Sequence, residues 1–229
     1  MEGITDNDLR NADPGSIGDF LNDLWRLPEG IIFGPNDATL VPQYFETWGF
    51  TIYRTHYGPG SEEQWCRLLQ TMHAGAQDGI ENMWQAEDYP AIMSKSWDLF
   101  RLDARSDADT LDGLTLENVR QVYVDKAGGA PMPNVPHRHP WHVFFLADAE
   151  VLRDPDLRMI KVVAAEYDAE RAVPKNRRYG PQRYFGWITM PATATLNLWR
   201  QLDDDWLMDI GSRIMPCGGP GAFWNPDND

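Results

Sequence analysis

Residues 135–148, VPHRHPWHVFFLAD, contain three of the chain's five histidines, His137, His139 and His142, set among Pro136 and Pro140. Imidazoles titrate near neutral pH and bind metals, so this is the densest group of candidate acids, bases or ligands in the sequence. In an extended segment, side chains two apart share a face and lie about 6–7 Å apart along the backbone. His137 and His139 therefore have the spacing of two imidazoles on one metal or of a proton-transferring pair. His142 has the other parity unless Pro140 kinks the chain. Glu166, Asp148 and Asp168 are the carboxylates available as a further ligand. No metal is expected; were one bound, His137, His139 and Glu166 would be its ligands. A cupin also begins with His-x-His, but it needs a glutamate where Val143, Phe144 and Phe145 stand, and a later histidine, and no histidine follows 142. The plainer alternative is a loop of solvated or hydrogen-bonded histidines.

A second group is YRTHY, with Tyr53, Arg54, His56 and Tyr57. Arg54 alternates with Phe50 and Ile52, and a guanidinium on a buried face needs a carboxylate or an anionic ligand. His56 closes the strand before Gly58-Pro59-Gly60, where a rigid strand end meets an open turn. The competing reading is a structural Arg–carboxylate pair beside a capping histidine. A third group is the loop ERAVPKNRRYGPQR, which gathers Arg171, Lys175, Arg177, Arg178 and Arg183 in an acidic chain. It could hold a phosphate, a carboxylate or a partner's acidic patch, or simply offset nearby acids. Asp107, Asp109 and Asp112 miss the calcium-loop register, and Asp203-Asp204-Asp205 with Asp209 read as an exposed turn. Nucleophile elbows and phosphate-cradling glycine motifs are missing, so no nucleotide cofactor is expected.

The elements that must position these groups follow from periodicity. Ser16 caps a helix with Ile17, Phe20, Leu21 and Leu24 on one face. GFTIYRTHY (49–57) alternates as a strand, and Ser61 to Gln64 is a capping-box pattern opening a helix with Trp65, Leu68, Leu69 and Met72 inward. Cys66 beside Trp65 is expected to be a buried thiol. Another helix starts at Asp88-Tyr89-Pro90 and runs through AIMSKSWDLFRL, residues 103–112 read as a loop, and Thr115 caps LENVRQVYVDKA. Three strands follow, WHVFFLA, LRMIKVVAAEY and RYFGWITM; then a helix opened by Pro191, a short strand WLMDIGSRI, and an irregular tail. Strict βαβ alternation is absent, so the expected fold is α+β: one domain over 1–229, with a mostly antiparallel sheet under helices, loosely ferredoxin-like, and flexible tails at 1–15 and 216–229.

The chain of 229 residues carries 35 acidic and 20 basic side chains, a net charge of −15, which disfavours nucleic acid and anionic membrane surfaces. Two cysteines make no disulfide framework, and the acidic opening MEGITDNDLRNADPGS has no apolar run, so a soluble cytoplasmic protein is expected. Ten Trp, nine Phe and eight Tyr suffice for a core and an aromatic-lined pocket.

WGFTIYRTHYGPGSEEQW, with the later FFLADAEVL and YFGWITM, resembles a large, mostly uncharacterised group of small fungal proteins over roughly residues 45–205. The resemblance implies a single domain and, at most, a role in secondary metabolism. The leading expectation is a small-molecule enzyme without an organic cofactor, of isomerase, cyclase or lyase type. His56, His137 and His139 would move protons, and Tyr53 and Arg54 would steady charge. Arg177, Arg178, Trp141, Trp187 and Tyr57 would hold the substrate. The alternatives are a non-catalytic module docking a partner through 171–183, and a tRNA-dependent dipeptide-forming enzyme resting on the same basic loop.

Overall fold

The computed structural model describes residues 4, 9, 11–26, 44–132, 142–154, 156, 158–172, 182–214 and 221–226. Their fold is α+β: a six-stranded mixed sheet with helices around it. Backbone contacts gather the chain into two compact units, Met1–Trp48 with Ala76–Arg101, and Gly49–Gly75 with Leu102–Asp229.

In the first unit, helix α1 (Ile17–Asp23) begins where the sequence places it. The Ser16 side chain accepts from Asp19 N, and Asp19 Oδ2 accepts in turn from Gly15 N at 2.7 Å, so each side chain satisfies an amide that the helix start leaves open. Trp48 is the aromatic centre of this unit. It meets Phe20 edge-on at 5.3 Å between ring centroids and Phe100 at 4.6 Å, and its indole N–H donates to Ser96 O on helix α3 (Pro90–Asp98) at 2.8 Å.

Strands β1 (Trp48–Arg54), β2 (Phe100–Arg105), β3 (Val143–Ala147), β4 (Met159–Ala164), β5 (Trp187–Pro191) and β6 (Ala222–Phe223) lie in the order β2-β1-β3-β4-β5-β6. The centre, β3–β4–β5, is antiparallel; β1 joins β3 and β6 joins β5 in parallel. The register runs Ile52–Phe145–Val162–Ile188 on one face and Tyr53–Leu146–Lys161–Thr189 on the other. On the first face Phe50 packs on Phe145 and on Trp199 of helix α8 (Thr195–Asp204). The second face is covered by Leu111 of helix α4 (Ala108–Leu111) and by Val119 and Tyr123 of helix α5 (Leu116–Val124). Thr115 caps α5 as expected, in a reciprocal box with Asn118.

Between these elements, helix α2 (Ser61–Glu81) follows β1, and the short helices α6 (Ala149–Arg153) and α7 (Ala169–Ala172) follow β3 and β4. No helix among the described residues is long and apolar enough to cross a membrane.

Several expectations need correction. WLMDIGSRI is a helix, α9 (Leu207–Ile214), because Leu207, Ile210 and Gly211 form one buried stripe at i, i+3, i+4. FRLDAR is strand β2 at the sheet's edge rather than the end of a helix and a loop. Pro191 closes β5, and the helix opens four residues later at Thr195. Within the stretch read as an irregular tail, 221–226 contribute β6 and bury Trp224. Cys66 is exposed, since the stripe of Trp65, Leu68 and Met72 turns it outward.

Candidate functional site

At the C-terminal end of β1 the sequence-predicted Arg54, His56 and Tyr57 do meet. Arg54 is 2% exposed. Its Nε donates to His56 O at 3.0 Å, Nη2 to Ser61 Oγ at 2.8 Å and Nη1 to Ser106 Oγ at 3.4 Å, and Nη1 is paired with Glu62 Oε2. The Tyr57 ring lies 4.4 Å from the guanidinium carbon, and its hydroxyl donates to Arg54 O at 3.1 Å. This is the structural Arg–carboxylate pair of the competing reading. Ser61 serves Arg54 at the helix start, where the sequence suggested an amide cap. His56 is half-buried, its ring lying so close to Gly58 that a Cβ there would come within 2.8 Å of Cε1.

Tyr53 points to the opposite face of the sheet, as adjacent strand residues must. It is 1% exposed and packs edge-on against Phe144 at 5.5 Å; its hydroxyl makes no hydrogen bond of normal geometry among the described residues, with the Arg105 side chain the donor within reach. Burial raises its pKa, Arg105 opposing and Asp103 adding to the rise. Tyr123 stacks on the other side of Phe144 at 5.1 Å. Burial, with Tyr53 and Glu166 adding and Arg105 opposing, pushes Tyr123 up to about 12.

Polar groups line the same end of this face. Arg105 donates through Nε to Asp103 Oδ2 at 2.9 Å and through its Nη atoms to Gly129 O and Ala130 O at 2.8 and 2.7 Å. Thr51 Oγ1 donates to Asp103 Oδ2 and accepts from Met132 N, both at 2.9 Å. The chain therefore leaves residue 132 tied to β1.

It re-enters the described structure at His142, just before β3. Ala165 N donates to His142 O at 2.8 Å, and His142 Nδ1 lies 2.6 Å from Glu166 Oε1. A carboxylate accepts only, so Nδ1 carries the proton and Nε2 is left with a free lone pair in the neutral ring. The His142 side chain is 49% exposed and that of Glu166 68%. Sharing parity with Phe144 and Leu146, His142 belongs to the Tyr53 face. This pair has the arrangement of an oriented general base: imidazole, carboxylate orienter, and a nitrogen that no described residue engages.

Two further networks pin the face. Lys161, 7% exposed in mid-strand, donates from Nζ to Asp148 Oδ2 at 2.7 Å and to Glu150, and lies 5.0 Å from the centre of the Trp187 ring. Burial lowers its pKa, but the two carboxylates outweigh that and the net shift is upward. Asp148 also caps α6, so one carboxylate joins helix start to strand. Arg120 reaches Ala164 O and Gly186 O at 3.0 and 2.9 Å and lies over the Tyr167 ring.

The sequence-predicted residues thus fall in different places. Ala147 pairs with Arg54, and His142 lies five residues earlier, just before β3, so the two glutamate pairs lie about 16 Å apart along the strand direction. Trp187 and Tyr57 are both half-buried at the margin of the Tyr53–Phe144–Tyr123 cluster. His137, His139, Trp141, Arg177 and Arg178 lie outside the described residues. Among the described residues no group of three or more His, Cys, Asp or Glu side chains could hold a metal; Glu166 faces His142. Sequence reasoning missed Arg105, Asp103, Tyr123 and Lys161. Lys161 had a visible signal, a lone charge inside the apolar strand MIKVVA. No known protein-family model matches the chain, and searches of curated proteins and of solved structures likewise return no match.

Proposed function

We propose that this chain is a small-molecule enzyme of isomerase, cyclase or lyase type, using acid/base chemistry rather than an organic cofactor. The supporting observation is the His142–Glu166 pair, 2.6 Å apart, half-exposed and on the Tyr53 face. Glu166 holds the ring in the Nδ1–H tautomer, so Nε2 takes a proton from the substrate and can return it to a neighbouring atom. Glu166 also stabilises the imidazolium formed in between.

The substrate is a small, largely apolar molecule lying against the half-buried margin of the aromatic cluster, where Leu114, Leu116, Tyr57 and Trp187 are found. A proton next to a carbonyl suits a base of this kind, with charge developing on the carbonyl oxygen. The Tyr53 hydroxyl and the neighbouring Arg105 guanidinium are the donors for that oxygen. Met132, bonded to Thr51, and His142 are the two described ends of the stretch that carries His137 and His139. Those histidines are the further acids or bases in this reading.

The natural substrate need not be identified for the test. A panel of carbonyl compounds with acidic C–H bonds is incubated in D2O with the wild-type protein, His142→Gln and Glu166→Gln, and deuterium incorporation is followed by mass spectrometry. At least one compound should exchange faster with wild type and lose about 100-fold or more of that rate in His142→Gln, the usual weight of a positioned base. Equal rates for wild type and His142→Gln across the panel would overturn the proposal.

A further inference from the structure

We infer that the cluster of Arg54, Ser61 and Ser106 is a binding site for the carboxylate of a small molecule, closed in the free protein by the chain's own Glu62. This is independent of the chemistry proposed at His142. The Arg54–Glu62 pair is asymmetric. The Arg54 side chain is 3% exposed, whereas that of its carboxylate partner Glu62 is 76% exposed. A buried guanidinium requires an anion or hydrogen-bond acceptors. Here its Nε and Nη2 are fixed by His56 O and Ser61 Oγ, while Nη1 has the distant Ser106 Oγ at 3.4 Å and a carboxylate whose side chain is mostly in solvent.

The resident Glu62 carboxylate shows what this locus accepts. Ser61 Oγ and Ser106 Oγ meet the guanidinium at 2.8 and 3.4 Å from its nitrogens; the Ser61 hydroxyl can turn its proton toward an arriving oxygen, while that of Ser106 also bonds Tyr57. The Tyr57 ring covers the guanidinium at 4.4 Å and holds its plane in place. Glu62 also lies in the first turn of α2, a 21-residue helix whose start favours negative charge, whichever molecule supplies it.

Charge selects the class of ligand. Glu63 follows Glu62, and Asp107 is near enough for its backbone to hydrogen-bond Tyr57 and for its charge to act on that ring. A dianion would meet these acids, while a single carboxylate replaces Glu62 without adding charge. The site therefore takes a monocarboxylate, and its affinity is reduced by the tethered competitor.

Arg54 Nε–H, held by His56 O, is the NMR reporter for the test. Acetate is titrated into wild type, Glu62→Gln and Glu62→Gln/Ser106→Ala, with inorganic phosphate in parallel. Glu62→Gln should show a saturable acetate shift at least about tenfold tighter than wild type, the scale of one charge-assisted hydrogen bond. Ser106→Ala should weaken it several-fold, and phosphate should bind less well than acetate. A persistent Nε–H signal in Glu62→Gln confirms that Arg54 stays folded in place. With that signal present, no saturable acetate shift would overturn the proposal, as would tighter binding of phosphate than acetate.

Discussion

Two glutamates each hold a basic side chain next to neighbouring parallel strands, and the two pairs differ in what the basic group has left to offer. At the end of β1, Arg54 is buried and its nitrogens meet a backbone oxygen, two hydroxyls and Glu62. Before β3, His142 is half-exposed and Glu166 takes one ring nitrogen, leaving the other without a partner among the described residues. The first arrangement fixes a strand end to the start of α2, and any ligand must displace something to enter. The second orients a titratable ring without enclosing it. Burial, not residue type, separates a pair enclosed in the fold from one that stays open to solvent.

That contrast fails first if Arg54 proves dispensable. Arg54→Met should cost about 3–5 kcal/mol in urea unfolding, because it removes a buried cation and strands the groups that met it. His142→Gln should stay within about 0.5 kcal/mol, as exposed substitutions do. Equal costs would erase the difference between the two pairs.

Next in size is Gly186→Ala, expected to lose about 2–3 kcal/mol. Gly186 has φ of +80°, and a Cβ there would overlap the Tyr167 ring and the Arg120 guanidinium. A loss below about 1 kcal/mol would mean that the Arg120–Tyr167 contact yields easily, and that the β4 end next to Glu166 is softer than its packing implies.

Alkaline pH probes the aromatic cluster. Tyr123 titrates near 12 in the folded chain against 10 unfolded, so the folded state keeps its proton longer. The stability tied to it is complete below about pH 10 and is lost as pH rises from 10 toward 12. Lys161, also shifted upward, loses its contribution on the same side, as its hold on Asp148 and Glu150 fails. Unfolding midpoints followed from about pH 8 into the alkaline range should be flat and then fall above about pH 10; a decline starting near pH 8 would contradict the burial of Tyr123.

The smallest effect is the most discriminating. Tyr53→Phe removes a buried hydroxyl that makes no hydrogen bond of normal geometry among the described residues, so stability should be unchanged or rise by about 1 kcal/mol. Any C–H exchange activity should fall, since the proposed chemistry makes that hydroxyl a donor to the substrate oxygen. A stability loss above about 1 kcal/mol would show that the hydroxyl is already engaged, and would take Tyr53 out of the site.

How much of this was legible in the sequence varies with the physical scale of the signal. The alternation in GFTIYRT and the stripe of Trp65, Leu68 and Met72 are local, and β1 and α2 follow from them. The stripe of Leu207, Ile210 and Gly211 is equally local, but eight residues give few repeats and the segment passes for a strand. Strand β2 is missed for a different reason: its charged and half-exposed residues read as loop, and only its place at the sheet edge makes it a strand. At the site, Arg54's need for a carboxylate is readable, and Glu62 answers it eight residues away. That Glu166 faces His142 depends on the β3–β4 register, in which Ala165 N bonds His142 O, and no spacing rule carries that information. Arg105 and Tyr123 escape notice because each gains its role only from the sheet packing beneath it.

The measurement closest to the proposed chemistry is the tautomer of His142, read from long-range 1H–15N correlations of the imidazole at a pH where the ring is neutral. A histidine free in solvent favours the proton on Nε2. Pairing with Glu166 predicts Nδ1–H for His142, with the preference lost in Glu166→Ala. An Nε2–H ring in the wild-type protein would contradict this, because the nitrogen assigned to proton transfer would already be occupied.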